Sequence, residues 1–353
     1  MKWIVLSASI VIQLCLGGLY AWSAFVPELK EAHGLTAAQT QLIFGLLITS
    51  FTVSMIFAGR LMERRSAVLT SAIGAVLFGA GYILSSFSGG SFLFMLLTIS
   101  GLVGAGTGFA YVCPIAICMK WFPTHKGLIT GIAVAGFGAG AIILVNVAEK
   151  LLAGGMDALT IFRWVGIAYG ALILVSSLAM VSPGHVLGGP ARVPHAFSSL
   201  AKDAFYWALV VGISCGTFAG LLVIGNLKPM GLSMDISERN AALAISVLAI
   251  GNAAGRISWG FLADRLGSRA VPLLLGMLVL TMGLLGALGL LGAFTFGFLT
   301  LAAMVGFGFG ACFVIFAAQV ASRYGPDHVG SVYPMVFLSY GISGVCGPWI
   351  GGK

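Results

Sequence analysis

Gly260-Phe261-Leu262-Ala263-Asp264-Arg265 follows Pro229 at nearly the interval by which Gly59-Arg60-Leu61-Met62-Glu63-Arg64 follows Pro27. The same offset, about 200 residues, returns further on. Gly104-Ala105-Gly106-Thr107-Gly108 leads to Pro123 and Gly127, and Gly306-Phe307-Gly308-Phe309-Gly310 leads to Pro326 and Gly330. Two matches at one offset mark an internal repeat. The chain is therefore expected to divide into homologous halves, 1–182 and 201–353. They are joined by 183–200, rich in helix breakers (Pro183, Gly184, Gly188, Gly189, Pro190, Pro194) and expected to be a cytoplasmic linker.

What lies around these repeats is apolar. Of the 353 residues 59% are hydrophobic and 8% charged, against about 25% charged in soluble domains. So few charges do not cover the surface of a water-soluble domain of this length. Most of the 51 glycines fall inside the apolar stretches, as in membrane helices whose backbones approach closely. Disorder is excluded, because disordered chains are poor in apolar residues. The net charge of +8 sits in short loops and reads as a topology signal, not as a nucleic-acid surface. Cys15, Cys113, Cys118, Cys215, Cys312 and Cys346 lie in apolar segments without CxxC spacing, and read as small buried packing residues.

A membrane helix needs about 20 mainly apolar residues. Eleven such stretches occur, near 3–26, 39–59, 67–86, 91–118, 127–148, 160–181, 205–226, 241–263, 271–290, 294–320 and 332–350. The first is too long for a signal-peptide core and is taken as a span. An all-α membrane protein with two pseudo-symmetric six-helix halves follows. The first half holds six spans and the second five, so the repeat predicts a twelfth that this sequence lacks. Lys2, Arg60, Arg64, Arg65, Lys120, Lys126, Arg192, Lys202, Arg265, Arg269 and Arg323 gather on one side, against Lys30, Lys150, Arg163, Lys228 and Arg239 on the other. The positive-inside rule puts the first group, and the amino terminus, in the cytoplasm of a cell (inner) membrane.

With the loop charges set aside, Arg256 is the one charge deep inside a span. It precedes Asp264 by eight residues, roughly 12 Å along a helix. A central arginine costs on the order of 2.5–3.5 kcal/mol on insertion scales. The ten carboxylates fall in loops or at helix ends, so the favoured answer is an anionic ligand, gripped by the planar guanidinium through two parallel hydrogen bonds. A purely structural brace on backbone carbonyls is the alternative. Asn252 lies one turn earlier on the same face, placed to orient the guanidinium, to bond the substrate, or simply to pack. Tyr20, Tyr111, Asn226, Ser339 and Tyr340 lie near mid-span in other stretches and are candidate substrate contacts, with interface anchoring as the competing role.

Enzyme motifs are missing: the sequence has no HExxH, GxSxG or P-loop, and its glycine strings follow no strand. Neither metal nor cofactor is expected. The glycine strings instead read as smooth faces for packing and sliding.

The string Gly260-Phe-Leu-Ala-Asp264-Arg265-Leu-Gly267-Ser-Arg269 resembles the GxxxDRxGRR signature of the major facilitator superfamily. The resemblance implies that fold, and a cytoplasmic gate at Asp264 and Arg265, with Glu63 and Arg64 as a looser first-half copy. Narrower motifs resemble the oxalate/formate antiporter family and related monocarboxylate transporters. They are Tyr20-Ala-Trp22, Lys120-Trp121-Phe122-Pro123-Thr-His-Lys126-Gly127 and Asn252-Ala-Ala-Gly-Arg256-Ile-Ser-Trp259-Gly260. That resemblance assigns the substrate carboxylate to the matching arginine, Arg256. Oxalate-handling members add a lysine in the eleventh helix, where this chain has Tyr340 and no cation before Lys353. One positive charge suits a monoanion, so lactate, pyruvate or formate is expected before oxalate.

The expected function is thus a secondary carrier of small monocarboxylates by alternating access, either symporting a proton or exchanging anions. A monomer in the lipid bilayer suffices for it. An oxalate or dicarboxylate antiporter is the alternative. An exporter of cations or neutral solutes predicts an anionic cavity, and a channel or receptor more often carries a soluble domain. The histidines His33, His125, His185, His195 and His328 are placed in loops, so no mid-span histidine argues for proton coupling.

Overall fold

The structure, a computed structural model, describes residues 1–183, 197–291 and 294–351. Residues 184–196 of the joining stretch therefore lie outside the described residues, Arg192, His185 and His195 among them, as does Lys353. Among the described residues eleven long helices follow one another: α1 (Lys2–Glu31), α2 (Ala37–Arg64), α3 (Ala67–Ser85), α4 (Phe92–Trp121), α5 (Lys126–Ala153) and α6 (Ala158–Ser177), then α7 (Ala204–Ser233), α8 (Glu238–Leu266), α9 (Ala270–Leu291), α10 (Thr295–Tyr324) and α11 (Val329–Gly351). They answer to the eleven apolar stretches in order. Among the described residues nine runs are long and apolar enough to cross a membrane, Glu238–Leu288 being one run over two helices.

Several helices outrun their apolar cores because capping residues start them early. Thr36 and Gln39 close a capping box on α2, each side chain bonding the other's backbone N–H. Asp157 accepts from the Leu159 and Thr160 N–H groups at the start of α6, and its other oxygen meets His33 Nε2 at 2.6 Å. Gly267, at φ 56°, makes the left-handed turn between α8 and α9 that a side chain would strain. Two local departures were not predicted: a 3-10 turn at Gly18–Ala21 within α1, and a π-helical stretch, Leu96–Val103, within α4.

Two compact units result. The first comprises Met1–Pro123, Gly136–His195 and Tyr324–Met335; the second comprises Thr124–Ala135, Ala196–Arg323 and Val336–Lys353. The opening turns of α5 and of α11 thus each belong to the unit holding the other half's signature string. The reason is glycine against glycine. A Cβ on Gly127 of α5 would land on the Gly260 carbonyl of α8, and a Cβ on Gly59 of α2 would land on the Gly330 carbonyl of α11. The second unit's core joins Val223, Leu227, Ala244, Leu248, Phe298 and Val305. Cys15, Cys113, Cys118 and Cys312 are buried free thiols, but Cys215 is exposed, which corrects its reading as a buried packing residue. It lies one helical turn from exposed Val211 on the same face of α7.

Candidate functional site

Arg256 stands inside α8 at 2% relative exposure, and it is the one buried charged side chain among the described residues. Its Nε donates to Asn252 Oδ1 at 2.9 Å, one turn back on the same helix. Its Nη1 donates to the Val134 carbonyl of α5 at 2.7 Å. The guanidinium carbon lies 4.9 Å from the centre of the Phe313 ring of α10, within the range of a cation–π contact. Asn252 Oδ1 and the Val134 carbonyl are both neutral oxygens. α10 closes in from the other side, since a Cβ on Gly310 would land on the Asn252 carbonyl.

Phe313 also meets Tyr340 of α11, ring centres 5.3 Å apart at 83°. Arg256, Asn252, Phe313 and Tyr340 therefore form one cluster in the second unit, with Tyr340 only 1% exposed. Ser339, next to it, turns its hydroxyl to the Val336 carbonyl of its own helix. Asn226 likewise donates to Leu222 of α7.

Tyr20 and Tyr111 belong to a separate, aromatic cluster in the first unit. Tyr111 of α4 packs edge-on against Phe51 of α2 at 5.1 Å and Phe137 of α5 at 5.4 Å. Tyr20 of α1 meets the same Phe137 at 5.5 Å. Gln13, buried on α1, donates to the Tyr111 carbonyl at 3.2 Å.

The signature strings are placed alike in the two units. Asp264 accepts from the backbone N–H groups of Gly127 at 2.7 Å and Leu128 at 2.9 Å, the first turn of α5. Glu63 accepts from Ser331 N–H at 2.9 Å, the first turn of α11. Each carboxylate thus satisfies orphan donors at a positive helix end. Lys120 and Asp327 add an ion pair at 3.1 Å in the first unit. Arg265 lies over Phe261 of its own helix, 4.1 Å from the ring centre, and Arg64 is exposed.

The sequence reading missed Phe313 and the Val134 carbonyl. Phe313 was within reach, because it is the repeat mate of Tyr111. A backbone carbonyl leaves no trace in sequence.

A family model described as Major Facilitator Superfamily matches residues 8–348. The chain belongs to that superfamily. Its likeness to an uncharacterised transporter of that type from Escherichia coli, YhjX, is 28% identity over 98% of this chain and 86% of the relative. The oxalate:formate antiporter of Oxalobacter formigenes is 22% identical over 99% of this chain and 84% of its own. Monocarboxylate transporter 11 of Mus musculus is 25% identical over 99% and 80% respectively. Among solved structures, the proton:xylose symporter XylE aligns with a TM-score of 0.69 at 14% identity, over 99% of this chain and 88% of that one. Superfamily and fold are those of integral membrane transporters.

Proposed function

We propose that this transporter carries small monocarboxylates of the lactate, pyruvate or formate type by alternating access, with Arg256 as the group that binds the carboxylate. The observation that carries the reading is a guanidinium buried within α8 and aimed by a neutral amide, Asn252. A planar cation in a water-poor site fits a planar carboxylate through paired, charge-assisted bonds. The relatives support the chemical class, since one is named for oxalate and formate and another for monocarboxylates. Tyr340 stands beside the Arg256 cluster where a dianion carrier would profit from a second cation, which favours monoanions. Tyr20, Tyr111, Asn226 and Ser339 remain proposed contacts of the remainder of the substrate.

Asp264, Arg265, Glu63 and Arg64 form the cytoplasmic gate in this reading. The carrier works as a monomer in the cell membrane with its amino terminus in the cytoplasm. Coupling is by proton symport or anion exchange, the proton in symport arriving on the substrate's own carboxyl group.

The test is uptake of labelled formate and lactate by proteoliposomes. Arg256→Gln should lower kcat/KM by about two orders of magnitude, the equivalent of about 3 kcal/mol for truncating one partner of a buried charge pair. The variant should elute and melt like the parent. Unimpaired uptake by folded Arg256→Gln protein sinks the assignment.

A further inference from the structure

At the crossing of α5 and α8 several observations coincide. Gly127 and Gly260 meet backbone to backbone. One turn further along α5, a Cβ on Gly131 would land on the Arg256 carbonyl. These close approaches bring the α5 main chain within reach of the Arg256 side chain, whose Nη1 bonds the Val134 carbonyl. That carbonyl sits inside a helix, so it offers the arginine a spare lone pair and no charge. A carboxylate offers charge-assisted bonds roughly twice as strong as neutral ones. The crossing also holds two buried polar atoms without a hydrogen-bond partner, Thr130 Oγ1 beside Gly131 and Trp259 Nε1 beside Gly260. Unsatisfied buried donors are a cost to the packed arrangement. Close backbone contact is thus combined with polar terms that favour release.

We infer that the bond from Arg256 to the Val134 carbonyl is a standby contact which the substrate carboxylate replaces, so that binding at Arg256 unfastens α5 from α8. The inference rests on the carboxylate reading of Arg256 and adds what binding does. In it Nη1 leaves the Val134 oxygen for a carboxylate oxygen, while Asn252 keeps Nε and holds the guanidinium on its helix. Occupancy of the site is thereby converted into loss of a helix-to-helix tie. Asn252 is then a positioning residue, and Gly131 sets the distance that makes the standby bond.

The experiment uses the chain in lipid nanodiscs, with Cys215 and Cys346 replaced by Ser. Spin labels are placed at exposed Thr124, before α5, and Ser268, after α8. Sodium formate or lactate is added to saturation while thermal shift follows binding, since a ligand that binds the folded state raises its stability. The expected result is a longer label-to-label distance with ligand. A rise in melting temperature without a change in distance overturns this inference and leaves the carboxylate site standing. No rise with any of formate, lactate or oxalate overturns the site and the inference with it. Gly131→Ala gives an independent arm, because its Cβ pushes α5 off the Arg256 carbonyl. Its labels should stand apart without ligand, and its formate Kd should fall about tenfold as competition for Nη1 is removed. An unchanged Kd in folded Gly131→Ala protein counts against the standby contact. The unsubstituted arm decides alone if that variant does not fold.

Discussion

Phe51, Tyr111 and Phe137 in the first unit stand where Asn252, Phe313 and Tyr340 stand in the second. Tyr111 meets Phe137 at 5.4 Å and 84°, and Phe313 meets Tyr340 at 5.3 Å and 83°. One aromatic pair has been kept in both halves. Beside it, the first unit places Phe51 and Met55 on α2, whereas the second places Asn252 and Arg256 on α8. Met55 is fully buried, as Arg256 nearly is. The repeat therefore supplies the same scaffold twice, and a cation has been set into only one copy. Charge tolerance is a property of the neighbouring side chain and not of the scaffold, because Asn252 gives the guanidinium an acceptor that Phe51 does not offer. The asymmetry also fits a carrier whose substrate has one charged end and one apolar end.

The sharpest break of this comparison is to put the cation into the other copy. Met55→Arg buries a guanidinium beside Phe51, and its cost should be about 3 kcal/mol on insertion scales. The measurement is the fraction of monodisperse protein after extraction together with its melting temperature, both of which should fall. Adding Phe51→Asn in the same chain should recover part of the loss. A Met55→Arg variant that folds like the parent removes the claim that the neighbour decides.

Removing the acceptor from the other side has a smaller effect. Asn252→Leu deprives Arg256 Nε of its partner, a bond to a charged group worth about 1.5 kcal/mol or more, and formate Kd should rise about tenfold. The mate substitution, Phe51→Leu, is apolar for apolar and should cost stability by about 1 kcal/mol with no change in Kd. Titration of both variants alongside their melting curves separates a positioning role from a packing one. A Kd that moves equally in the two would erase the distinction.

The fold was legible because its signal is redundant. Eleven apolar stretches, the glycine strings and the doubled Gly260 and Gly59 strings all pointed to one architecture, and each maps to a helix or a helix end. Arg256 was legible for a simpler reason, since a charge in an apolar run is costly and therefore conspicuous. What surrounds it was less so. Phe313 looks like any other phenylalanine of α10 until its repeat mate Tyr111 is lined up with it. The Val134 carbonyl and the crossing at Gly127 and Gly131 depend on how α5 meets α8, and helical periodicity fixes only the face of a helix, not its partner. The π-helical stretch at Leu96–Val103 is equally silent, because it changes hydrogen-bond spacing without changing composition.

The capping carboxylates give the finest version of the comparison. Asp264 accepts two N–H groups at the start of α5, and Glu63 accepts one, from Ser331, at the start of α11. Capping bonds are worth about 1 kcal/mol, with a few tenths more from the helix dipole. Asp264→Asn should therefore loosen the first turn of α5 more than Glu63→Gln loosens that of α11. Hydrogen exchange reads this directly, as faster exchange at Gly127 and Leu128 in the first variant and a smaller change at Ser331 in the second. The shorter aspartate reaches both donors because the Gly127 and Gly260 backbones touch. At the other end a Cβ on Gly59 would likewise land on the Gly330 carbonyl, Met62 packs over Gly330, and the longer glutamate reaches one helix-start amide, the backbone N–H of Ser331. Equal exchange at the two helix starts would mean that close approach, and not the count of capped donors, holds them. The difference between aspartate and glutamate would then be incidental to the gate.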